Sequence, residues 1–168
     1  MNFPKGFLYS ETQRMRGTGI YRLVMIIFAI VTIFVTLPYF KPSGMKNRGE
    51  VLLPLLIVFA VWLIVSFLMS KTSLEIGIRD DGFYFRMKPF MFSFKRIRFD
   101  EIESVELIGL NAFKYGFGIH FGIGWKAYTI VGDQGIKINL KKGKSIVLSV
   151  RNPESIIAIL SQYVKIRS

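Results

Sequence analysis

Two uninterrupted apolar runs open the chain, and a series of short alternating runs follows them. Residues 23–40 (LVMIIFAIVTIFVTLPYF) and 51–70 (VLLPLLIVFAVWLIVSFLMS) contain no charged side chain. At 1.5 Å per residue they reach roughly 27 and 30 Å, about the hydrocarbon thickness of a bilayer. Both are apolar all round, which predicts two transmembrane helices. A buried core helix is the alternative for one such run, but two in tandem favour spans. The first run exceeds the apolar core of about 7–15 residues found in signal peptides, and KPSGMKN after it offers no A-x-A site. A permanent anchor is therefore expected. The link at residues 41–50 is short enough to make the spans an antiparallel hairpin, with both chain termini on one side.

From residue 71 the apolar period becomes two, the period of strands. TSLEIGI alternates and is followed by RDDG, a turn in which Gly82 can take a positive φ. FYFRM, FMFSFKRIRF, ESVELIGL, AYTIV, GIKINL and SIVLSV continue the series, with KKGK as the turn between the last two. The chain then reads NPESIIAILSQYVKIRS. Asn152 suits an N-cap, Pro153 the first helical position and Glu154 the positive end of the helix dipole. Ile156, Leu160 and Val164 recur at spacing four with Ile157 beside them, predicting an amphipathic helix of about three turns. Residues 71–168 are thus predicted to be an α+β domain. In residues 1–22, Ser10 to Gln13 reads as a capping box opening a short juxtamembrane helix, interrupted by Gly17 and Gly19.

Charge adds an orientation. Of the net +12, the segment before the first span carries +3, the link +2 and the remainder +7. Lys5, Arg14, Arg16 and Arg22 precede the first span, and Lys71, Arg79, Arg86 and Lys88 follow the second, against Lys41, Lys46 and Arg48 in the link. This excess places both termini in the cytoplasm by the positive-inside rule, with the protein in the inner (cytoplasmic) membrane. Beside a membrane, such a basic balance points to anionic lipid headgroups rather than to nucleic acid. The chain has no cysteine, which removes thiolate catalysis, disulfides and cysteine-based zinc sites.

The glycine-rich stretch YGFGIHFGIGWKAY is the one segment that suggests a ligand loop. Gly116, Gly118, Gly122 and Gly124 match neither G-x-x-x-x-G-K-[ST] nor G-x-G-x-x-G, and a strand-like segment follows rather than a helix. No nucleotide or other cofactor is expected. Every odd position from Phe113 to Trp125 is large and apolar, while the even positions hold the glycines, His120, Lys114 and Lys126. This predicts a long strand, bent or bulged, with one apolar face and one nearly bare face. The apolar face either joins the core or dips into the membrane interface with Trp125 as its aromatic anchor. Lys95, Arg96 and Arg98 in FKRIR, Lys141, Lys142 and Lys144 in KKGK, and Lys114 and Lys126 beside the glycines are the candidate lipid-headgroup contacts, with plain solvation as the alternative. His120 is the only histidine, no carboxylate pair accompanies it, and the spans hold no ionisable residue, so neither a catalytic residue nor a metal site is predicted.

ETQRMR before the first span, RFDEIESVEL, and the closing stretch from GIHFGIGWKAYTIV to NPESIIAIL carry a resemblance. The chain resembles bacterial membrane proteins that join a two-helix transmembrane hairpin to a pleckstrin-homology-like domain. The resemblance implies a bent antiparallel sheet of about seven strands closed by the C-terminal amphipathic helix. It implies no catalytic residue. Eukaryotic pleckstrin-homology domains bind inositol phosphates near their first hairpin, but here that turn is the acidic RDDG. The expected function is a membrane-anchored, non-enzymatic interaction or regulatory module at the inner leaflet, with a protein partner or a homo-oligomer. An accessory subunit of a membrane transporter or enzyme complex is the second expectation, and a lipid-modifying enzyme the third.

Overall fold

The computed structural model describes residues 6–37, 48–111, 115–130 and 132–167, with backbone alone for 48–51. The chain forms two compact units, Met15–Thr72 and a second built from Met1–Arg14 with Ser73–Ser168.

The first unit is helical. Helix α1 is Gly19–Thr36, and it begins where the Thr18 side chain accepts the Tyr21 N–H at 3.2 Å. This start lies four residues before the apolar run, because a good cap outweighs the glycine at the first position. Helix α2 is Arg48–Lys71 and contains Pro54. Both helices are long and apolar enough to cross a membrane, and none of the Gly19–Thr36 or Leu52–Lys71 stretches is buried. Their hydroxyls turn inward to their own backbone: Thr32 donates to Phe28 O, Thr36 to Ile33 O and Ser70 to Phe67 O. Tyr21 and Ser66 meet across the pair at 3.5 Å.

The second unit is an α+β domain of ten strands in two sheets among the described residues. The first sheet runs β1 (Tyr9–Arg14), β2 (Ser73–Arg79), β3 (Gly82–Lys88) and β4 (Lys95–Ile97), in that order and antiparallel throughout. The second contains β5 (Ile102–Gly109), β6 (Gly118–Gly122), β7 (Trp125–Thr129), β8 (Gln134–Leu140), β9 (Ser145–Ser149) and β10 (Ile166–Arg167), in the order β10-β5-β8-β9-β7-β6. All seven expected strands have a counterpart, at β2–β5 and β7–β9, but FMFSFKRIRF is a strand only over Lys95–Ile97. The expectation of one antiparallel sheet needs correction, since β7–β9 and β10–β5 are parallel pairs.

The N-terminal segment needs a larger correction. The predicted juxtamembrane helix is the strand β1, in register with β2 from Tyr9↔Ile78 to Arg14↔Ser73. A capping box contributes about 1 kcal/mol and Gly17 limits the helix behind it. The edge of β2 offers a complete ladder instead, and Tyr9 and Thr12 suit a strand. Gln13 is fully buried on β1, and its amide donates to Glu11 at 2.7 Å and to Ser149 O at 2.8 Å. Ser149 Oγ donates back to Gln13 Oε1 at 2.8 Å and accepts the Ile130 N–H at 3.0 Å. The segment ahead of the helices is therefore part of the domain.

The core follows the alternation. Leu74, Ile76 and Ile78 of β2 stand opposite Met87, Phe85 and Phe83 of β3, all fully buried, with Ile136, Ile138 and Leu148 from the second sheet. Helix α3, Pro153–Leu160, adds Ile156 and Leu160 to that core. It is two turns long rather than three and excludes Val164, and the Asn152 side chain makes no cap bond. Lys165 and Arg167 lie beyond it, where Arg167 pairs with Glu103 through the short strand β10.

The other face of β2 buries a carboxylate. Glu75 lies opposite Arg86 and is bonded to it and to Lys88, at 2.8 Å for the latter. The Arg86 guanidinium stacks over Phe94 at 4.2 Å. Burial works to raise the Glu75 pKa, but the hydrogen bonds and charges of Lys88 and Arg86 prevail and hold it below the ordinary 4.5. A folded pKa depressed in this way gives stability that is present above the unfolded value and lost as pH falls through the folded value. Glu75→Gln should cost on the order of 2 kcal/mol at neutral pH, because two partly buried cations lose their partner. It should also make the acid-side loss of stability shallower than in the wild type. Denaturant titrations at descending pH measure both, and parallel pH profiles for the two proteins would contradict this role.

Candidate functional site: a lysine cleft beside an apolar hairpin tip

The glycine-rich stretch folds back on itself. Strands β6 and β7 pair from Gly118↔Thr129 to Gly122↔Trp125, leaving Ile123 and Gly124 as a two-residue turn. Gly124 has φ +77°, which a glycine takes without strain. The turn is anchored by Ser145, whose N–H donates to Gly124 O at 2.8 Å.

A two-residue turn reverses the parity of the alternation, which a continuous strand would have preserved. Cross-strand partners share a face, so Trp125 lies with Gly122, His120 and Gly118, and Phe121 lies with Lys126. The glycines on the first face make room for rings. A Cβ on Gly122 would come within 2.1 Å of the Trp125 indole, and one on Gly116 within 2.2 Å of the His120 imidazole. Trp125 is half-buried and meets Tyr115 edge-on at 5.3 Å, against Ala127 and Val147. Most of the candidate interface aromatic is therefore folded onto its own domain. Phe117, ahead of β6, is exposed to 43%, and at the tip the exposed apolar residues are Phe121, at 70%, and Ile123, at 103%. Both belong to the apolar series in the sequence, but their exposure depends on the turn that the unbroken alternation conceals.

Beside this tip, Lys95, Lys126 and Lys144 converge on a cleft of about 250 Å³ that Trp125 and Leu140 help to line. Lys95 comes from β4, Lys126 from β7, and Lys144 from the turn before β9. Among the described residues no carboxylate lines the cleft, and none of the three lysines is in an ion pair. Lys126 Nζ lies 5.2 Å from the Phe121 ring centre, a cation held at the root of the apolar tip. Such a cleft can hold an anion by charge.

The other candidate cations are placed differently. Arg96 pairs with Asp81 at 3.2 Å and Arg98 with Asp100 at 2.8 Å. The Tyr84 hydroxyl, which donates to Asp81 at 2.8 Å, is the first cause holding the Asp81 carboxyl below its ordinary value, and Arg96 adds to it. Lys141 and Lys142 are exposed in the β8–β9 turn, and neither lines the cleft. Lys114 lies outside the described residues. His120 is held through a ring nitrogen 3.0 Å from Phe117 O.

A family model described as "Family of unknown function (DUF6141)" matches residues 1–165. No curated protein and no solved structure matches the chain.

The seating of Trp125 on Gly122 is open to direct measurement. In a Trp62→Phe background, Trp125 is the sole emitter. Gly122→Val should lift the indole off the hairpin, shift its emission to the red and cost about 1–3 kcal/mol of stability. Unchanged emission would show that the ring does not rest there.

Proposed function

The chain belongs to that family of unknown function, and from this premise we propose that it is a membrane-anchored, non-enzymatic interaction or regulatory module. Its two helices hold the α+β domain at the inner leaflet of the cytoplasmic membrane, with both termini cytoplasmic. The observation that carries this reading is the absence of burial along α1 and α2. A core helix of a soluble protein hides one face, whereas these two leave large side chains such as Ile26, Phe34, Leu53 and Phe67 about half exposed or more. Burial of apolar area is worth about 25 cal/mol per Å², so a bilayer is the solvent in which such surfaces are stable. The turning of Thr32, Thr36 and Ser70 onto backbone carbonyls supports the same reading, since polar groups in lipid need partners inside the protein.

Within this reading the domain is pleckstrin-homology-like. Support comes from the succession of β2–β5 and β7–β9 closed by α3. The non-enzymatic part is supported by the engagement of the chain's one imidazole with a backbone carbonyl and by the use of Arg96 and Arg98 on neighbouring carboxylates.

Because the chain has no cysteine, single substitutions report topology cleanly. Ser43→Cys, between the spans, should react with an impermeant thiol reagent on intact cells. Ser161→Cys, exposed just after α3, should react only after the membrane is permeabilised. The reverse pattern contradicts the orientation, and release of the chain by an alkaline carbonate wash contradicts the anchor.

A further inference from the structure

We propose that the Lys95–Lys126–Lys144 cleft is a binding site for the phosphodiester of an anionic phospholipid, with Phe121 and Ile123 of the β6–β7 tip seated at the boundary between headgroups and acyl chains. The proposal rests on the reading of α1 and α2 as membrane spans.

Three observations meet at this place. The cleft is cationic, with three lysines from separate elements and, among the described residues, no carboxylate on its lining. Its volume of about 250 Å³ has room for a phosphodiester with the glycerol attached to it. Beside it stands an apolar tip whose end residue, Ile123, is fully exposed, with Phe121 next to it. A free phosphate would account for the lysines and leave the tip unexplained. A protein core would account for the tip and leave three unpaired ammonium groups to desolvate. An anionic bilayer surface accounts for both, because apolar side chains and basic groups side by side match the two layers of the interface. The Lys126 ammonium beside the Phe121 ring joins the two parts of the surface.

The test uses the full chain in nanodiscs of phosphatidylcholine alone or mixed with phosphatidylglycerol. Ile123→Cys carries a bimane fluorophore, and a lipid spin-labelled near the headgroup acts as quencher. Quenching is expected in the mixed nanodiscs and should be largely absent in phosphatidylcholine alone. Each lysine near an anionic leaflet contributes about fivefold, so Lys95→Gln/Lys126→Gln/Lys144→Gln should lower the seated-to-free ratio by about a hundredfold. Lys141→Gln/Lys142→Gln, which removes charge outside the cleft, should retain the quenching. Equal quenching in both lipids, or quenching that survives the triple substitution, overturns the site. Loss of quenching on adding inorganic phosphate, but not sodium chloride of equal ionic strength, assigns the cleft to free phosphate and overturns the lipid. Elution of the chain with the nanodisc scores the anchor separately. A chain that incorporates and shows no quenching contradicts this site alone, while one that fails to incorporate contradicts the membrane reading. Thermal unfolding of each variant confirms that the loss is not one of folding.

Discussion

One buried amide joins the beginning of the chain to its far end. Gln13 donates to Glu11 and to the Ser149 carbonyl, and receives the Ser149 hydroxyl, which in turn accepts the Ile130 N–H. Gln13 and Ser149 are fully buried, so each of these groups has given up water and depends on the others. Removal of one partner leaves a buried polar atom unsatisfied, at about 1–3 kcal/mol, and such networks exceed the sum of their pairs. Glu11 extends the network to the Arg151 N–H at 3.0 Å, next to the start of α3. Strand β1 is thereby held on two sides, by the ladder with β2 and by this polar tie to β9.

This constraint governs how the rest of the chain is arranged. The two apolar helices are an insertion between β1 and β2, strands that are hydrogen-bonded neighbours. Arg14 and Ser73 are partners in that ladder, so the chain leaves the domain and returns to it side by side. An insertion with adjacent ends is topologically a hairpin, whatever the length of the link at its tip. The inference of a hairpin from a short link thus acquires an independent reason in the pairing of the strands at its base. The same pairing makes the domain discontinuous in sequence, because its first strand is made before either helix.

Much of this was legible in residue patterns, and the omissions share a cause. Strands β2 and β3 were visible because Leu74, Ile76 and Ile78, and Phe83, Phe85 and Met87, alternate on one buried face. The helices were visible because the two runs are apolar all round and long enough to cross a bilayer. Strand β1 was hidden because its inward residue is Gln13, a polar group whose partner lies 136 residues away, and local reading assigned Ser10 and Gln13 to a cap. The β6–β7 turn was hidden because Ile123 continues the apolar alternation across it, and only pairing reveals that parity is reversed there. For the site, the basic residues were legible one by one. Their sorting was not: Arg96 and Arg98 turn to Asp81 and Asp100, whereas Lys95, Lys126 and Lys144 come together from separate elements. Period and composition describe neighbours along the chain, and most of these outcomes were decided by neighbours across it.

Hydrogen exchange of the full-length protein in nanodiscs, resolved to peptides covering residues 7–16, tests the central claim most directly. If Gln13 binds the segment before the spans into the domain, the β1 amides should exchange as slowly as those of β2 and β3, and Gln13→Ala should speed exchange in β1 and at Ile130 together. A wild-type β1 that exchanges at the rate of an open tail, while β2 and β3 remain protected, would contradict the account.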